Sequence, residues 1–401
     1  MEAKKKILLM VPRVHQGGQE RICLLTARLL KKEHDVTVLI YDDTDCVYDL
    51  SGLRIINIHS GAHPNKIRKI LRVLQRIVRV GRIKKQEKFD ICYSFGATAN
   101  LVNVFTKKGE KVWVGIRGYD DLEDTTRTGL FCRRADKVVC CARVMADDLM
   151  EKYHPKDVAA IYNPCDMEEI LRQKEESLLP EDADFFAGDS QVILTMGRDA
   201  HLKGYWHLLK AFSLVSKRVP QAKLMILGRG EYRACKELAQ KLGIADRVRF
   251  AGVRRNPFPY LKRAALYVLS SQDGEGFPNA LAEAMACGLA VAATNCKSGP
   301  AEILFEDYEK AADRTKAYDA DYGILLPIGQ DTENYDPSHI EPEEEVMAEK
   351  LTELLSDAKK ALKYRSLSEK RAADFSNGAY VKALDKLLKE PESEGQHRFP
   401  E

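Results

Sequence analysis

Along the chain, short runs of apolar, β-branched residues alternate with stretches in which apolar residues recur every three or four positions. That alternation predicts parallel sheets built from strand–helix–strand units, because neighbouring parallel strands need a crossover long enough to hold a helix. In the first part the runs predict strands over 6–11, 36–40, 54–58, 90–94, 112–116, 137–141 and 158–161. The periodic stretches between them predict helices over 19–32, 65–86, 98–107, 121–133 and 144–152. Asn163-Pro164 breaks the pattern, and the polar, acidic stretch 172–190 reads as a connector. A second series follows, with strands over 192–196, 223–227, 248–251, 266–269, 289–293 and 322–326. Its helices are expected over 204–218, 231–242, 278–287 and 300–305. Helical patterns at 345–355 and 369–389 come next, then a tail at 390–401 whose composition predicts disorder.

At 401 residues the chain is too long for one ordinary core. The fold class expected is α/β: two doubly wound, Rossmann-like domains, 1–165 and 166–365, making a cleft at their facing strand ends. The helix at 369–389 is assigned to the first domain. The hydrophobic fraction of 45% is that of a soluble globular protein, and no apolar run approaches the roughly 18 residues of a membrane helix. Lys4-Lys5-Lys6 leads directly into a strand-like run without a signal-peptide layout, so a cytoplasmic location is expected. Ten cysteines are scattered without a Cys-x-x-Cys pair, which indicates neither a disulfide framework nor a zinc site.

The net charge of +3 says little, but its distribution says more: residues 66–88 hold ten Lys/Arg and one Glu, whereas 331–345 hold seven Asp/Glu and no Lys/Arg. No nucleic-acid-binding motif accompanies the basic stretch, so nucleic acid is not an expected partner. Within it Ile67, Ile70, Leu71, Leu74, Ile77 and Val78 recur at helical period and are expected to pack onto the first sheet. Arg68, Lys69, Arg72, Arg76 and Arg79 then fall on the opposite, solvated face, with Arg82, Lys84 and Lys85 extending the charge. Such a face suits electrostatic, peripheral contact with the inner, anionic face of a membrane.

The sharpest chemical feature runs from Ser271 to Gly288, SQDGEGFPNALAEAMACG. It follows a buried-type strand and opens a helix with Pro278 at its first position and Gly288 in the cap position at its end. Gly274 and Gly276 allow close backbone approach to a ligand, and the helix start favours an anion. Upstream, Arg198 and Lys203 flank a turn between Gly197 and Gly204. Two cations five apart in such a turn can clamp a diphosphate.

The segment from Glu275 to Glu283, EGFPNALAE, resembles the signature of the family 4 retaining glycosyltransferases, which share the two-domain GT-B fold. The resemblance implies that Glu275 hydrogen-bonds the donor sugar and that Glu283 grips the ribose of the nucleotide. It places Gly276, Phe277, Asn279 and Ala280 in the same donor loop. Arg198 and Lys203 match the family's Gly-Arg…Lys-Gly element, which neutralises the leaving diphosphate in place of a metal ion. Gly17 and Gly18, in GGQE, resemble the loop lying against donor phosphates or acceptor. Val253 and Arg254 fall where the nucleobase would be bordered. Asn163-Pro164 with Asp166 resembles the end of the family's first domain. Residues 298–304 resemble the branch that uses hexose or N-acetylhexosamine donors, and 323–327 another family strand.

His15 and Arg117 are candidates for the acceptor side, where Ser94-Phe95-Gly96 stands in place of the histidine of many relatives. Residues 306–321 form a charged insertion of unread role. Asp43 and Asp45 fit an Asp-x-Asp metal motif but follow the second strand of the wrong fold type, so a polar turn is expected and no metal. His201 and His207 are expected in a loop and on a helix surface.

The reaction implied is transfer of a hexose or N-acetylhexosamine from a nucleotide diphosphate, UDP favoured, to a hydroxyl of a glycan or lipid-linked acceptor. Configuration would be retained, without metal or cofactor. The alternatives are a nucleotide-sugar epimerase and a non-catalytic sugar-nucleotide-binding scaffold. The four charged groups Arg198, Lys203, Glu275 and Glu283 argue against the scaffold.

Overall fold

The structure, a computed structural model, describes residues 4–15, 17–61, 65–389 and 397–398. It divides into two units, Met1–Pro164 with Asn377–Glu401, and Cys165–Ser376. In the first unit the strands are β1 (Lys6–Arg13), β2 (Asp35–Asp42), β3 (Arg54–Asn57), β4 (Ile91–Phe95), β5 (Lys111–Ile116), β6 (Lys137–Cys140) and β7 (Val158–Ala160). The helices between them are α1 (Gly18–Leu30), α2 (Lys66–Glu87), α3 (Ala97–Phe105), α4 (Asp120–Glu123), α5 (Thr125–Arg134) and α6 (Arg143–Tyr153).

The second unit holds β8 (Gln191–Met196), β9 (Ala222–Leu227), β10 (Val248–Gly252), β11 (Leu266–Leu269), β12 (Ala290–Thr294), β13 (Tyr318–Asp319) and β14 (Ile324–Leu326). Its helices are α7 (Met167–Gln173), α8 (Pro180–Ala183), α9 (Tyr205–Arg218), α10 (Arg233–Lys241), α11 (Phe258–Arg263), α12 (Asn279–Ala286), α13 (Pro300–Leu304), α14 (Pro342–Ser356) and α15 (Ala358–Ala373). The chain then rejoins the first unit as α16 (Asn377–Lys389). Of the tail at 390–401 only β15 (His397–Arg398), paired in parallel with β7, is described; the rest lies outside the described residues.

The first sheet runs β15-β7-β6-β5-β4-β1-β2-β3, with parallel pairing throughout. β1 is central, and Leu8, Leu9, Met10 and Val11 are wholly buried, as a strand covered on both faces requires. On one face Ile22, Cys23 and Ala27 of α1 pack with Leu384 and Leu387 of α16. The second sheet runs β10-β9-β8-β11-β12-β14-β13, parallel except for β13 against β14. α9 is buried nearly all round, and α14 packs in the same core.

Both sheets reverse direction beside their first strand in sequence. β2 lies on one side of β1 and β4 on the other; β9 lies on one side of β8 and β11 on the other. Chain connections leave in opposite directions at such a point, opening a crevice at the carboxyl ends of the two strands. In the second unit those ends lead into residues 197–204 and 270–278.

Three expectations need correction, and one unread stretch gains a place in the fold. The helix expected over 369–389 is two, because the chain turns at 374–376: Phe375 is buried and its carbonyl accepts from the Cys165 N–H at 2.7 Å. The stretch 172–190 is not a bare connector. It carries α8, and Asp182 and Phe185 are buried in the second unit. The insertion 306–321 contributes β13, which the polar composition concealed.

The last concerns α2: five apolar residues expected to pack inward face solvent and two of the basic ones are buried, while Arg68, Lys69, Arg82 and Lys85 are exposed as expected. Ile67, Ile70, Leu71, Leu74 and Val78 are exposed, while Arg76 and Lys84 are buried. Arg76 donates through Nε and Nη2 to the Ser60 carbonyl at 2.9 and 2.6 Å, its guanidinium 4.7 Å from the Tyr41 ring. Arg79 donates to the Ile58 carbonyl, and Lys84 pairs with Glu110 at 2.8 Å. Carbonyls just beyond β3 need donors, and the arginines supply them. Val80, Ile77 and Ile83 carry the apolar packing inward.

Candidate functional site

Gly204 shows why the loops after β8 and β11 touch. Its backbone is left-handed (φ 57), and a Cβ there would stand 2.3 Å from the Ser270 carbonyl oxygen. Across this contact Ser270 Oγ donates to the Lys203 carbonyl at 2.8 Å and the Gln272 N–H to the Leu202 carbonyl at 2.7 Å. The stitching brings the Lys203 ammonium to 2.5 Å from Glu275 Oε1, which also accepts from Ser271 Oγ at 2.7 Å. Burial pushes the Glu275 carboxyl up, but the charge and hydrogen bond of Lys203, the Ser271 hydroxyl and the charge of Arg198 outweigh it. The group is held below the ordinary carboxylate range. Arg198 itself is exposed and makes no ion pair among the described residues.

Three residues beyond Gly276, α12 begins at Asn279, so a helix N-terminus with its partial positive charge opens at the same strand end. Asn279 and Ala280 occupy its first turn; Glu283 is its fifth residue and is buried. The Phe277 ring packs edge-on against Phe375 at 5.1 Å. Ser298 Oγ holds the loop from behind, donating to the carbonyls of Glu275 at 2.7 Å and Gly276 at 3.2 Å.

Sequence reasoning missed the support this loop takes from the 306–321 insertion. Arg314 pairs with Asp273 and donates through Nε to the Asn295 carbonyl at 2.8 Å. Asp273 also accepts from the Lys297 N–H at 2.9 Å, and Asn295 Nδ2 donates to the Ala311 carbonyl at 2.8 Å. Arg314 is the one arginine of that acidic segment, beside Lys310 and Lys316, and nothing near it in the chain points to Asp273. Ser271 and Ser298 were not singled out either.

Val253 is 42% exposed, and the neighbouring Arg254 is engaged by a buried carboxylate. Its Nε and Nη2 lie 2.8 and 2.7 Å from Asp182 Oδ2, and Nε donates to Tyr260 Oη at 3.1 Å. A buried carboxylate needs a cation, so the Arg254 side chain is an internal tie where a nucleobase contact was expected.

In the first unit the loop after β1 carries His15, Gly17 and Gly18. Gly17 caps α1 and exchanges hydrogen bonds with Tyr48 Oη, donating at 3.3 Å and accepting at 2.9 Å. A Cβ on Gly17 would lie 2.1 Å from Glu20 Oε2, so the Glu20 carboxylate covers this glycine. Burial pushes the Glu20 carboxyl up, against its backbone hydrogen bond and the charge of nearby His15. Gly18 is exposed, and His15 Nδ1 is buried without a hydrogen-bond partner. Arg117 is buried: Nη1 donates to Asn163 Oδ1 at 2.9 Å, Nη2 to Tyr93 Oη, and the guanidinium stacks 5.0 Å from Phe95. It ties β5 to the segment after β7, where an open acceptor contact was expected.

Asp43 and Asp45 lie in the exposed turn after β2. His201 pairs with Asp331 at 2.9 Å and Glu333 at 3.2 Å in exposed loops. His207 is not on a surface: it is 2% exposed, because α14 covers the face of α9 that amphipathic reading assigned to solvent. Its Nδ1 lies 2.7 Å from Glu344 Oε1 and its Nε2 3.0 Å from the Gln330 carbonyl, with Lys210 Nζ 3.6 Å from Glu344. Atoms of His207, Glu341 and Glu344 that could ligate a metal lie within 4.8 Å of one another. Both ring nitrogens are already engaged, however, and the Lys210 ammonium stands beside the carboxylates, so the cluster is a buried polar network.

The family description "Glycosyltransferase Family 4" matches residues 16–169, and "Glycosyl transferases group 1" matches 181–314. The uncharacterized glycosyltransferase MJ1059 of Methanocaldococcus jannaschii is 34% identical over 206 residues, 50% of this chain and 48% of that protein. The chain thus spans about half the length of that relative. The N-acetylgalactosamine-N,N'-diacetylbacillosaminyl-diphospho-undecaprenol 4-alpha-N-acetylgalactosaminyltransferase of Campylobacter jejuni is 22% identical over 388 residues, 92% of this chain and 96% of that one. Among solved structures, Anabaena Alr3699/HepE in complex with UDP and glucose superposes with a TM-score of 0.73 at 16% identity. That match covers 96% of this chain and 99% of the other, and establishes a shared two-sheet GT-B fold. With successive family matches falling one in each unit, and the charged loops meeting at the sheet reversal of the second, the chain belongs to glycosyltransferase family 4.

Proposed function

We propose that this glycosyltransferase moves a hexose or N-acetylhexosamine from a nucleoside diphosphate, UDP favoured, to a hydroxyl of a glycan or lipid-linked acceptor, with retention and without a metal ion. The observation that carries the reading is the Lys203–Glu275 pair at the crevice of the second sheet, with Arg198 beside it. Glu275 Oε1 is occupied by Lys203 and Ser271, and Oε2 has no partner among the described residues, so Oε2 is the atom placed to accept from sugar hydroxyls. Breaking the bond between the anomeric carbon and the diphosphate develops negative charge on the phosphate. Lys203, Arg198 and the N-terminus of α12 stabilise that charge, the role a divalent cation has elsewhere.

No residue of the site is an evident nucleophile toward the anomeric carbon, and the family resemblance implies attack from the front face. The acceptor oxygen therefore bonds that carbon on the face the phosphate leaves, and its proton passes to the departing phosphate oxygen. UDP-linked relatives by name, HepE among them, favour the uridine donor. The test is calorimetry with UDP and GDP, followed by transfer assays with UDP-sugars in excess EDTA. Preference for GDP overturns the donor assignment, and loss of transfer restored only by magnesium overturns metal independence. Turnover of the donor sugar into its epimer without acceptor supports the epimerase instead.

A further inference from the structure

The turn that carries Lys203 is too short to hold itself. His201–Lys203 is one helical turn, closed by the Lys203 N–H on the Ala200 carbonyl at 2.9 Å and the Gly204 N–H on the His201 carbonyl at 3.0 Å. A single turn of this kind does not persist in water without outside support. Leu202 and Lys203 take that support from the loop after β11. His201 takes it from elsewhere. Its imidazole stacks on the buried Trp206 indole of α9, ring centroids 5.1 Å apart, and Tyr335 packs on the same indole at 6.3 Å. Nε2 lies 2.9 Å from Asp331 Oδ1 and Nδ1 3.2 Å from Glu333 Oε1, both carboxylates of the segment between β14 and α14. A neutral imidazole has one N–H and one lone pair, so it satisfies one of these carboxylates and turns its lone pair on the other. The arrangement is complete only for the imidazolium. The acidic stretch 331–345 has no Lys or Arg of its own, so the cation comes to it from the turn.

We propose that His201 is a positioning residue for the donor diphosphate: its imidazolium clasps Asp331 and Glu333 and so fixes the turn that presents Lys203. The clasp rests on the proposed donor reading, in which Lys203 meets the diphosphate. Asp331 and Glu333 are the titratable groups facing the ring; α9 offers it an indole, and Lys203 on its own turn is engaged with Glu275. Burial draws the His201 imidazolium down, but the hydrogen bonds and charges of Asp331 and Glu333 outweigh it. The group is held above the ordinary histidine value of about 6.5. The clasp is therefore fully present below that ordinary value and is lost as pH rises through the raised one. Once it is lost, two uncompensated carboxylates stand beside a turn that has to receive an anion. All three side chains are exposed, so the effect is a modulation of affinity rather than its abolition.

The experiment is calorimetry of UDP binding to the full chain at about pH 6 and about pH 9, on either side of the histidine range. The β-phosphate of UDP titrates across the same range, and the ratio of variant to wild-type dissociation constants at each pH cancels it. His201→Gln, uncharged throughout, binds UDP about threefold to tenfold more weakly than wild type at the lower pH and equally at the higher one, the scale of two exposed ion pairs. His201→Lys, charged throughout, keeps the affinity at both. In Asp331→Asn/Glu333→Gln, the further change His201→Gln has no effect at either pH. An imidazole NMR titration without UDP, with the His201 resonance assigned by its loss in His201→Gln, gives a raised value that falls when both carboxylates are replaced. Equal weakening by His201→Gln at both pH values overturns the clasp, as does a titration that the two carboxylates leave unmoved. Wild type that binds UDP with a ratio of one at both pH values overturns the clasp alone. Wild type that binds no UDP at either pH overturns the donor reading and, with it, the part of His201 in donor binding.

Discussion

Lys203 and Glu275, 72 residues apart in the chain, meet at 2.5 Å where the loops after β8 and β11 are stitched together. The pair couples donor diphosphate to donor sugar, because one partner is a cation for phosphate and the other an acceptor for hydroxyls. Replacing Lys203 with Ala removes a charge-assisted contact to the diphosphate of roughly 1.5–3 kcal/mol, and free UDP should bind at least tenfold more weakly by calorimetry. Glu275→Gln should have the opposite signature. It releases Lys203 to the phosphates, so UDP binds at least as well as in wild type while transfer falls. Parallel loss of UDP affinity in both variants would break the division of labour.

The same pair sets an acid limb. A carboxyl held below its unfolded range contributes stability that is present above the unfolded value, about 4.3 for Glu, and is lost as pH falls through the folded value. Thermal midpoints of wild type should drop below about pH 4, and Glu275→Gln should show a shallower drop. Superimposable acid limbs would mean that the pair adds nothing to folding. Between pH 5 and 8, about the range in which enzymes are assayed, titration of Glu275 should leave transfer unaffected.

Arg314 acts at one remove, through Asp273, on the loop that carries Glu275. Arg314→Ala should leave UDP affinity within about twofold and lower kcat for transfer by tenfold to hundredfold, the scale expected of about 1 Å of misplacement. Arg314→Lys should recover part of the rate, since an ammonium can still reach Asp273. A lowered thermal midpoint with kcat intact would make Arg314 a structural strut only.

Much of this could be read from the chain. The strand–helix alternation placed both sheets, and the run from Ser271 to Gly288 located the loop and helix of the candidate site, because close backbone approach and helix starts leave local marks. Partners did not. Nothing near Arg254 points to Asp182, and nothing near Lys203 points to Glu275; those pairings are made by topology. The direction of an amphipathic helix was equally illegible. Periodicity gives α2 one apolar and one basic line, but which faces inward depends on whether the sheet offers apolar surface or bare carbonyls, and here Ile58 and Ser60 offer carbonyls.

His207 gives a last test, since a buried histidine between two glutamates invites a metal. Its Nε2 faces the Gln330 carbonyl and its Nδ1 the Glu344 carboxylate, so both ring nitrogens are engaged within the protein. With Lys210 alongside, His207 packs against Glu341 and Glu344, and all four are buried. Removing one member leaves an uncompensated charge between α9 and α14. His207→Ala should therefore lower unfolding free energy by about 3–5 kcal/mol in urea titrations. Replacing Glu344 with Gln should cost less, because the amide still accepts from Nδ1. Zinc should leave the wild-type thermal midpoint unmoved, since a ligand that binds only the folded state would raise it. A rise with zinc that His207→Ala abolishes would convert the network into a metal site.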